Sequence, residues 1–148
     1  MDALELLTTD HKNVKRLFKN AEGLNHKQQM KVFEQIKDEL ETHTRIEETI
    51  FYPAIAKITE LEDMVLESLE EHKQVKTLLR DMEKLTADSE KFEPKLKVLM
   101  ENVEHHAVEE EEEEKMFPKI RKHMDGQALE QLGQKLEAAK RQDERKAG

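Results

Sequence analysis

Apolar residues recur at spacings of three and four along most of this chain, and this periodicity constrains the fold more than any other feature. Four strong stripes and a weaker fifth one lie at residues 4–18, 33–54, 65–82, 96–117 and 129–139. Because an α-helix turns once every 3.6 residues, this spacing gathers the apolar side chains on one face. The pattern predicts an all-α, antiparallel up-and-down four-helix bundle with a short extra C-terminal helix.

The length and the composition fit one helical domain. The chain has 148 residues, of which 40% are charged and only 4% are aromatic. A β-sandwich or β-barrel needs many β-branched and aromatic residues, so this composition argues against both. We therefore predict a bundle at residues 1–126, followed by a C-terminal helix and polar tail at 127–148.

Several kinds of site and partner are excluded by what the sequence lacks. The chain contains no cysteine, which excludes disulfides, zinc–thiolate sites and iron–sulfur clusters. A net charge of −9 leaves no basic surface for nucleic acid. No apolar run reaches the length of a membrane span, and the N-terminus has no export signal pattern. We expect a cytoplasmic protein with no nucleic-acid or membrane partner, whose oligomeric state this sequence does not specify.

Six ionisable residues lie in phase with the apolar stripes. Each strong stripe contains one histidine, and two of the stripes also contain a glutamate four residues after it. These residues are His11, His43, Glu47, His72, His106 and Glu110. Glutamate is almost never fully buried unless it is paired or bound to a metal. A purely hydrogen-bonded polar core therefore explains the pattern less well than a shared, strongly bound partner.

The positions of these residues favour their convergence at one level of the bundle. Residues four apart on a helix point the same way, as His43 and Glu47 do. The chain also repeats itself: residues 10–17 resemble residues 71–78, and the His-x-x-x-Glu pair recurs at an offset of 63. One helical hairpin therefore occurs twice, and two such hairpins facing each other would create a pseudo-twofold axis.

The set of donor groups determines which metals the predicted site would bind. Neutral imidazoles and carboxylates in a dry core suit iron, manganese, zinc or copper. Two histidine–carboxylate halves suit two metal ions, with a glutamate from each half available as a bridge. We predict two iron ions, with manganese as the alternative, because this donor set leaves room for O2, peroxide or NO. Closed structural zinc usually has four ligands, often thiolates, and the Glu-x-x-His motif of ferritin-like bundles is absent.

Histidine-containing motifs follow one another in a set order along the chain. The order is His11, then His43 to Pro53, then His72, then His105 to Glu110, ending in Phe117-Pro118. This series resembles the haemerythrin-like, or HHE cation-binding, domain family over about residues 5–124. The resemblance implies a four-helix bundle with a non-haem di-iron centre. By position, it implies iron ligands at His11, His43, His72 and His106, and bridging carboxylates at Glu47 and Glu110.

Lys76 is the first departure from the family pattern. Oxygen-carrying members have a further histidine at this position, one helical turn after the ligand in the third helix. This chain has a lysine there, and a protonated lysine is a poor iron ligand. We therefore do not expect reversible O2 transport of that kind. Lys76 either stays outside the site or steadies a bound anionic ligand.

The second departure concerns the register of the fourth helix. Glu47 precedes Pro53 by six residues, whereas Glu110 precedes Pro118 by eight. This difference leaves a rival pair and a rival carboxylate in that helix, namely His105 with Glu109, and Glu111. We prefer His106 and Glu110 because they alone continue the apolar phase of the helix.

Together these observations predict a non-haem di-iron protein that binds O2, NO or peroxide for sensing, stress protection or iron handling. One alternative is a di-iron peroxidase or NO-reducing enzyme, which a turnover assay on iron-loaded protein would identify. The other is a helical interaction module without metal, which metal analysis of the purified protein would identify.

Overall fold

The structure is a computed structural model that describes residues 1–86 and 88–147. Two residues lie outside the described ones: Ala87, and Gly148, which is the last residue of the predicted polar tail. The described residues form helices and connecting turns without a strand. In chain order the helices are α1 (Ala3–Ala21), α2 (His26–Ile46), a π-helical turn (Glu47–Phe51), α3 (Tyr52–Ile55), a 3₁₀ turn (Thr59–Leu61), α4 (Glu62–Glu83), α5 (Phe92–Glu111), α6 (Met116–His123) and α7 (Gly126–Ala147).

The first two helices begin at reciprocal side-chain caps. The Asp2 carboxylate accepts a hydrogen bond from the Glu5 N–H at 2.8 Å, and the Glu5 carboxylate accepts one from the Asp2 N–H at 3.2 Å. Asn25 and Gln28 repeat this arrangement at the start of α2. Between them, Gly23 adopts a φ of 75°, which an L side chain rarely tolerates, and so allows the tight turn. Local sequence signals therefore set where α1 ends and α2 begins.

Two apolar clusters fill the bundle, one on each side of a polar layer. Along α1 the chain passes from the first cluster at Leu7 to the second at Val14, and along α2 it returns from Leu40 to Ile46. α4 likewise passes from the first cluster at Leu69 to the second at Val75, and the chain returns from Leu99 of α5 to the first cluster at Met116, the first residue of α6. Because the order of the clusters reverses from each helix to the next, α1, α2, α4 and α5 run antiparallel. This confirms the predicted all-α four-helix bundle.

The C-terminal helix α7 packs on the outside of the first cluster. Leu129, Leu132 and Leu136 are buried there, and the helix continues to Ala147 through residues that we expected to form a polar tail. Gly133 faces the N-terminus, where an added Cβ would lie 2.5 Å from the Met1 carbonyl oxygen and 2.9 Å from the Ala3 nitrogen. Only glycine therefore allows α7 to approach the start of α1 this closely.

We expect Gly133→Ala to lower the free energy of unfolding by about 1–3 kcal/mol, because backbone atoms would have to move to make room for the methyl group. Gly126→Ala is the matched control on the same helix, since an added Cβ there meets no described atom within 4 Å. Urea unfolding followed by circular dichroism measures both variants. Equal stabilities for the two variants would contradict the close approach of α7 to α1.

None of the helices in residues 1–86 and 88–147 has both the length and the apolar composition that crossing a membrane requires.

Candidate metal centre

All six residues that the sequence singled out meet in the polar layer between the two apolar clusters. The histidines come from α1, α2, α4 and α5, and the glutamates come from the π-helical turn and the end of α5. Their exposed fractions range from 0% for both glutamates to 9% for the first histidine. The six residues are His11, His43, Glu47, His72, His106 and Glu110.

The first group of donors joins α1 and α2 to both glutamates. His11 Nε2 lies 3.1 Å from Glu110 Oε1, and His43 Nε2 lies 3.1 Å from Glu47 Oε1. One ligand atom from each of these four residues lies within 4.8 Å of all the others. A single cation placed between them would contact four donors from opposite sides of the layer.

The second group joins α4 and α5 and shares Glu47 with the first. Glu47 Oε1 lies 3.0 Å from His72 Nε2 and 3.4 Å from His106 Nε2. These three residues also have ligand atoms within 4.8 Å of one another. Glu110 reaches this group through its other oxygen, with Oε2 3.5 Å from His106 Nε2. Both glutamates therefore lie between two pairs of histidines, where each carboxylate could bridge two cations.

Several of the nitrogen and oxygen atoms that could bind a metal are buried without a good hydrogen bond. Among the described residues, Glu47 Oε2 has no hydrogen-bond partner. His11 Nε2, His43 Nε2 and Glu110 Oε1 lie in the 3.1 Å contacts given above, but these contacts lack good hydrogen-bond geometry. Burying a polar atom without a good hydrogen bond is costly, so the four such atoms in this layer require an explanation. Imidazole nitrogens and carboxylate oxygens are the ligands that first-row transition metals accept. The residues present therefore fit a bound metal.

The charges of the centre also favour a cation. Burial by itself would lower the pKa of His43, but the charge of Glu47 and the hydrogen bond with Asp10 raise it to about 10. Burial would likewise raise the pKa of Glu47, but the charge of His43 and hydrogen bonds from His106 and His72 hold it well below its usual range. Negative surroundings that retain a proton on an imidazole also attract a metal ion, which competes with that proton for the nitrogen.

Each of the four histidines is held from outside by a carboxylate of another helical segment. The Nδ1 atom faces this outer carboxylate at 2.6–3.0 Å, while Nε2 faces the centre. The pairs are Asp10 with His43 (3.0 Å), Glu48 with His72 (2.8 Å), Glu71 with His106 (2.9 Å) and Glu111 with His11 (2.6 Å). An Nδ1–H that donates to a carboxylate leaves Nε2 free to bind a metal and orients the ring.

These outer carboxylates form a closed ring around the bundle. The carboxylate on α1 contacts the histidine on α2, and the carboxylate on the π-helical turn, which continues α2, contacts the histidine on α4. The carboxylate on α4 contacts the histidine on α5, and the carboxylate on α5 contacts the histidine on α1. The internal repeat of the sequence therefore extends beyond the donors to their supports. His11 and His43 have ring centroids 4.9 Å apart, and their counterparts His72 and His106 are 4.8 Å apart. The two halves of the centre are thus built alike.

Sequence reasoning did not identify the outer carboxylates, although a signal for them exists. Asp10 and Glu71 each directly precede a histidine of the centre, and Glu48 and Glu111 each directly follow a glutamate of the centre. The same two pairs of adjacent residues therefore occur in both repeats. Adjacent residues on a helix point about 100° apart, so one residue of each pair faces the centre and the other reaches sideways to the next helix.

The distance along the chain from each central glutamate to the following proline, six residues from Glu47 and eight from Glu110, has a structural cause. Pro53 lacks an N–H and would clash with the preceding turn of an α-helix, and the π-helical turn widens the chain there, with the Tyr52 N–H bonded to the Glu47 carbonyl. In the second half the helix ends at Glu111, and Pro118 lies in the first turn of α6 after a short connection. The connection accounts for the two extra residues.

The rival residues of the fourth helix lie away from the centre. The His105 side chain is 61% exposed and approaches Glu71 and Glu109 at the surface. Glu111 belongs to the outer ring, where it contacts His11. The structure therefore places His106 and Glu110, and not His105 and Glu109, in the central layer.

One aromatic residue from each repeat covers a histidine. Tyr52 lies over His72 with ring centroids 5.6 Å apart, and Phe117 lies over His11 at 6.3 Å with nearly parallel rings. The tyrosine Oη also donates a hydrogen bond of 2.8 Å to Glu110 Oε2. The hydroxyl therefore orients one bridging carboxylate, whereas the phenylalanine only packs.

Lys76 lies on the outer side of His72. Its Nζ contacts both oxygens of Glu48 at 2.9 and 2.8 Å, and Glu48 in turn contacts His72 Nδ1. The side chain of Lys76 is 41% exposed. Lys76 therefore supports an outer carboxylate and does not point into the centre.

Comparison with known proteins points to a cation-binding helical domain. The family described as the Hemerythrin HHE cation binding domain matches residues 2–120. The fold is similar to the crystal structure of a Hemerythrin HHE cation binding domain-containing protein from Mycobacterium kansasii, with a TM-score of 0.81 and 26% sequence identity. That alignment covers 97% of this chain and 87% of the other. No curated protein matches the chain at a significant level of sequence similarity.

Proposed function

This chain belongs to the haemerythrin HHE cation-binding domain family, and from that premise we propose that it is a non-haem di-iron protein. Within this proposal it binds O2, NO or peroxide for sensing, stress protection or iron handling. The observation that carries the proposal is the convergence of buried histidine and glutamate side chains, whose nitrogen and oxygen atoms form two groups able to hold a metal ion.

The two donor groups divide the ligands between two ions. Each ion would take two histidine Nε2 atoms and an oxygen from each of two bridging glutamates. The histidines would be His11 and His43 for one ion and His72 and His106 for the other, with Glu47 and Glu110 as bridges. Two positive ions held by both carboxylates would also offset their charge and satisfy Glu47 Oε2, which has no hydrogen-bond partner among the described residues.

A bound pair of iron ions supplies two metals that change oxidation state and accept an external ligand. The residues of the chain orient the ligands and limit access of water. The outer carboxylates hold the imidazoles with Nε2 inward, and Tyr52 holds Glu110 by its hydroxyl. The apolar clusters above and below the layer keep the surroundings dry, which strengthens every electrostatic interaction within it.

A small internal cavity supports a small ligand. A cavity of about 20 Å3 touches all four histidines, and its other walls include Val14, Leu40, Val75 and Val103. This is room for about one water-sized molecule. A diatomic ligand or peroxide is closer to that size than an organic substrate is.

Metal analysis of the purified protein tests the proposal directly. After expression in iron-rich medium, elemental analysis should find about two iron ions per chain, and azide should shift the absorption of the oxidised protein. Near-zero iron, manganese and zinc would contradict the proposal and favour a helical interaction module. Two manganese ions in place of iron would keep the site and change the metal. Multiple turnovers of peroxide or NO by the iron-loaded protein would favour the alternative of a di-iron enzyme.

We expect Lys76→Ala to leave the metal content nearly unchanged. Lys76 contacts Glu48 at a partly exposed position, and an exposed ion pair typically contributes about 1 kcal/mol or less. Glu48 keeps its own contact with His72 when the lysine is removed. Elemental analysis of the variant beside wild type measures the effect. Loss of one or both ions would mean that Lys76 holds the centre more directly than its contacts indicate.

A further inference from the structure

We propose that Lys140, on the C-terminal helix α7, is a positioning residue for one of the two metal ions, acting through Asp10 on His43. This inference rests on the proposed di-iron function. Lys140 lies beyond residues 2–120, the part of the chain that matches the family.

A continuous line of contacts connects α7 to the central layer. Lys140 Nζ donates to Asp10 Oδ1 at 2.5 Å, and Asp10 Oδ2 lies 3.0 Å from His43 Nδ1. On the other side of the imidazole ring, His43 Nε2 lies 3.1 Å from Glu47 Oε1. Two side chains, those of Asp10 on α1 and His43 on α2, therefore connect the ammonium group of Lys140 to the bridging carboxylate of Glu47.

The burial of Asp10 makes the contact with Lys140 important. The Asp10 side chain is only 2% exposed, and that of Lys140 is 23% exposed. Water therefore screens this pair weakly, and a charge-assisted hydrogen bond at such a site is stronger than one at the surface. Lys140 occupies one carboxylate oxygen and leaves the other directed at His43. Without the Lys140 ammonium group, the Asp10 carboxylate would be free to turn, and His43 would lose its fixed orientation.

In the second half, a lysine supports an outer carboxylate only at a more exposed position, where Lys76 contacts Glu48 and the two side chains are 41% and 27% exposed. Glu71 takes the place of Asp10 in the other repeat, and it holds His106 from outside at 2.9 Å. Its second oxygen lies 3.3 Å from the ring of the exposed His105, which comes from α5 itself. The internal repeat does not extend to α7, so Lys140 acts on the half that contains His11 and His43. The two ions would therefore be held with unequal strength.

The test measures how quickly iron leaves the protein. The iron(II)-loaded protein is mixed without O2 with an excess of an iron(II)-specific chelator, and release is followed by absorbance, with total iron determined beforehand. Loss of an outer partner typically costs about 10- to 100-fold in metal affinity. We expect Lys140→Met to release one of its two ions about 10- to 100-fold faster than wild type and the other at an unchanged rate. Lys140→Arg should restore most of the slow release, because it keeps the positive charge.

Asp143→Asn is the matched control for the docking of α7. Asp143 pairs with Arg45 and so joins α7 to α2 without touching the centre. If Lys140 only attached the helix, both variants would change release to a similar extent. We expect Asp143→Asn to release both ions as wild type does, with thermal unfolding reporting any loss of docking.

A double-mutant cycle with Asp10→Asn tests the order of the contacts. If Lys140 acts through Asp10, adding Lys140→Met to Asp10→Asn should change the release rate less than about twofold. If wild type binds two ions and Lys140→Met releases both of them at wild-type rates, the role of Lys140 is wrong while the proposed di-iron function stands. Equal acceleration of both ions, or effects that add in the double variant, would also overturn it. A wild-type chain that binds no metal would overturn the proposed function itself.

Discussion

Glu47→Gln should lose most of the metal from both sites. Glu47 is fully buried, belongs to both groups of donors, and has one oxygen without a described hydrogen-bond partner. An amide keeps the volume of the side chain but removes the negative charge and one of the two acceptor oxygens. Loss of even an outer partner costs about 10- to 100-fold in affinity, so a variant without the bridge should retain less than about a tenth of the wild-type iron. Elemental analysis of the purified variant measures this.

Two further variants make the result for Glu47 specific. Glu41→Gln makes the same chemical change at an exposed position of α2 and should retain wild-type metal. Lys76→Ala should also retain it, for the reasons given above. If Lys76→Ala loses the iron while Glu47→Gln keeps it, the assignment of inner and outer residues on α2 and α4 is wrong.

Removal of the metal should lower the melting temperature by about 8–16 °C. A ligand present at about 1,000 times its Kd stabilises the folded state by about 4 kcal/mol, and each kcal/mol shifts Tm by about 2–4 °C in a domain of this size. The metal-free protein must also keep two buried glutamates and four histidines in one layer. Thermal unfolding by circular dichroism, with iron-loaded and chelator-treated samples compared, measures the difference.

Two controls separate the effect of the bound metal from damage by the chelator. Adding iron back should restore the original Tm, and the Tm of Glu47→Gln should respond little to iron. Equal melting temperatures for the loaded and metal-free wild type would contradict a buried metal centre at this layer.

The helical architecture follows from local sequence patterns. Leu7 and Val14 lie on one face of α1 because of the helical period, and the caps at Asp2 and Asn25 mark where helices begin. His43 and Glu47 share a face because four residues make about one turn. These relations depend only on neighbours along the chain, so the bundle and the six central residues could be predicted from the amino-acid sequence.

The outer shell of the centre could not be predicted in the same way. Glu111 contacts His11 across 100 positions of the chain, and Lys140 contacts Asp10 across 130. Whether a glutamate on the solvent side of a helix reaches a neighbouring histidine depends on the distance and rotation between helices, which helical periodicity does not specify. The long acidic run at residues 109–114 shows the difficulty, because solvated and structural glutamates stand side by side in it.

The sequence by itself determined the helices, the family and the donors that face the core, because each of these depends on spacing along one helix or on a motif read in order. Tertiary structure alone decided which donors lie close enough to share an ion, which carboxylate holds each imidazole, and that α7 reaches the outer ring of the centre. These features depend on how separate helices are placed side by side. That placement results from the packing of whole faces, as at Gly133 against the N-terminus, and no short stretch of sequence encodes it.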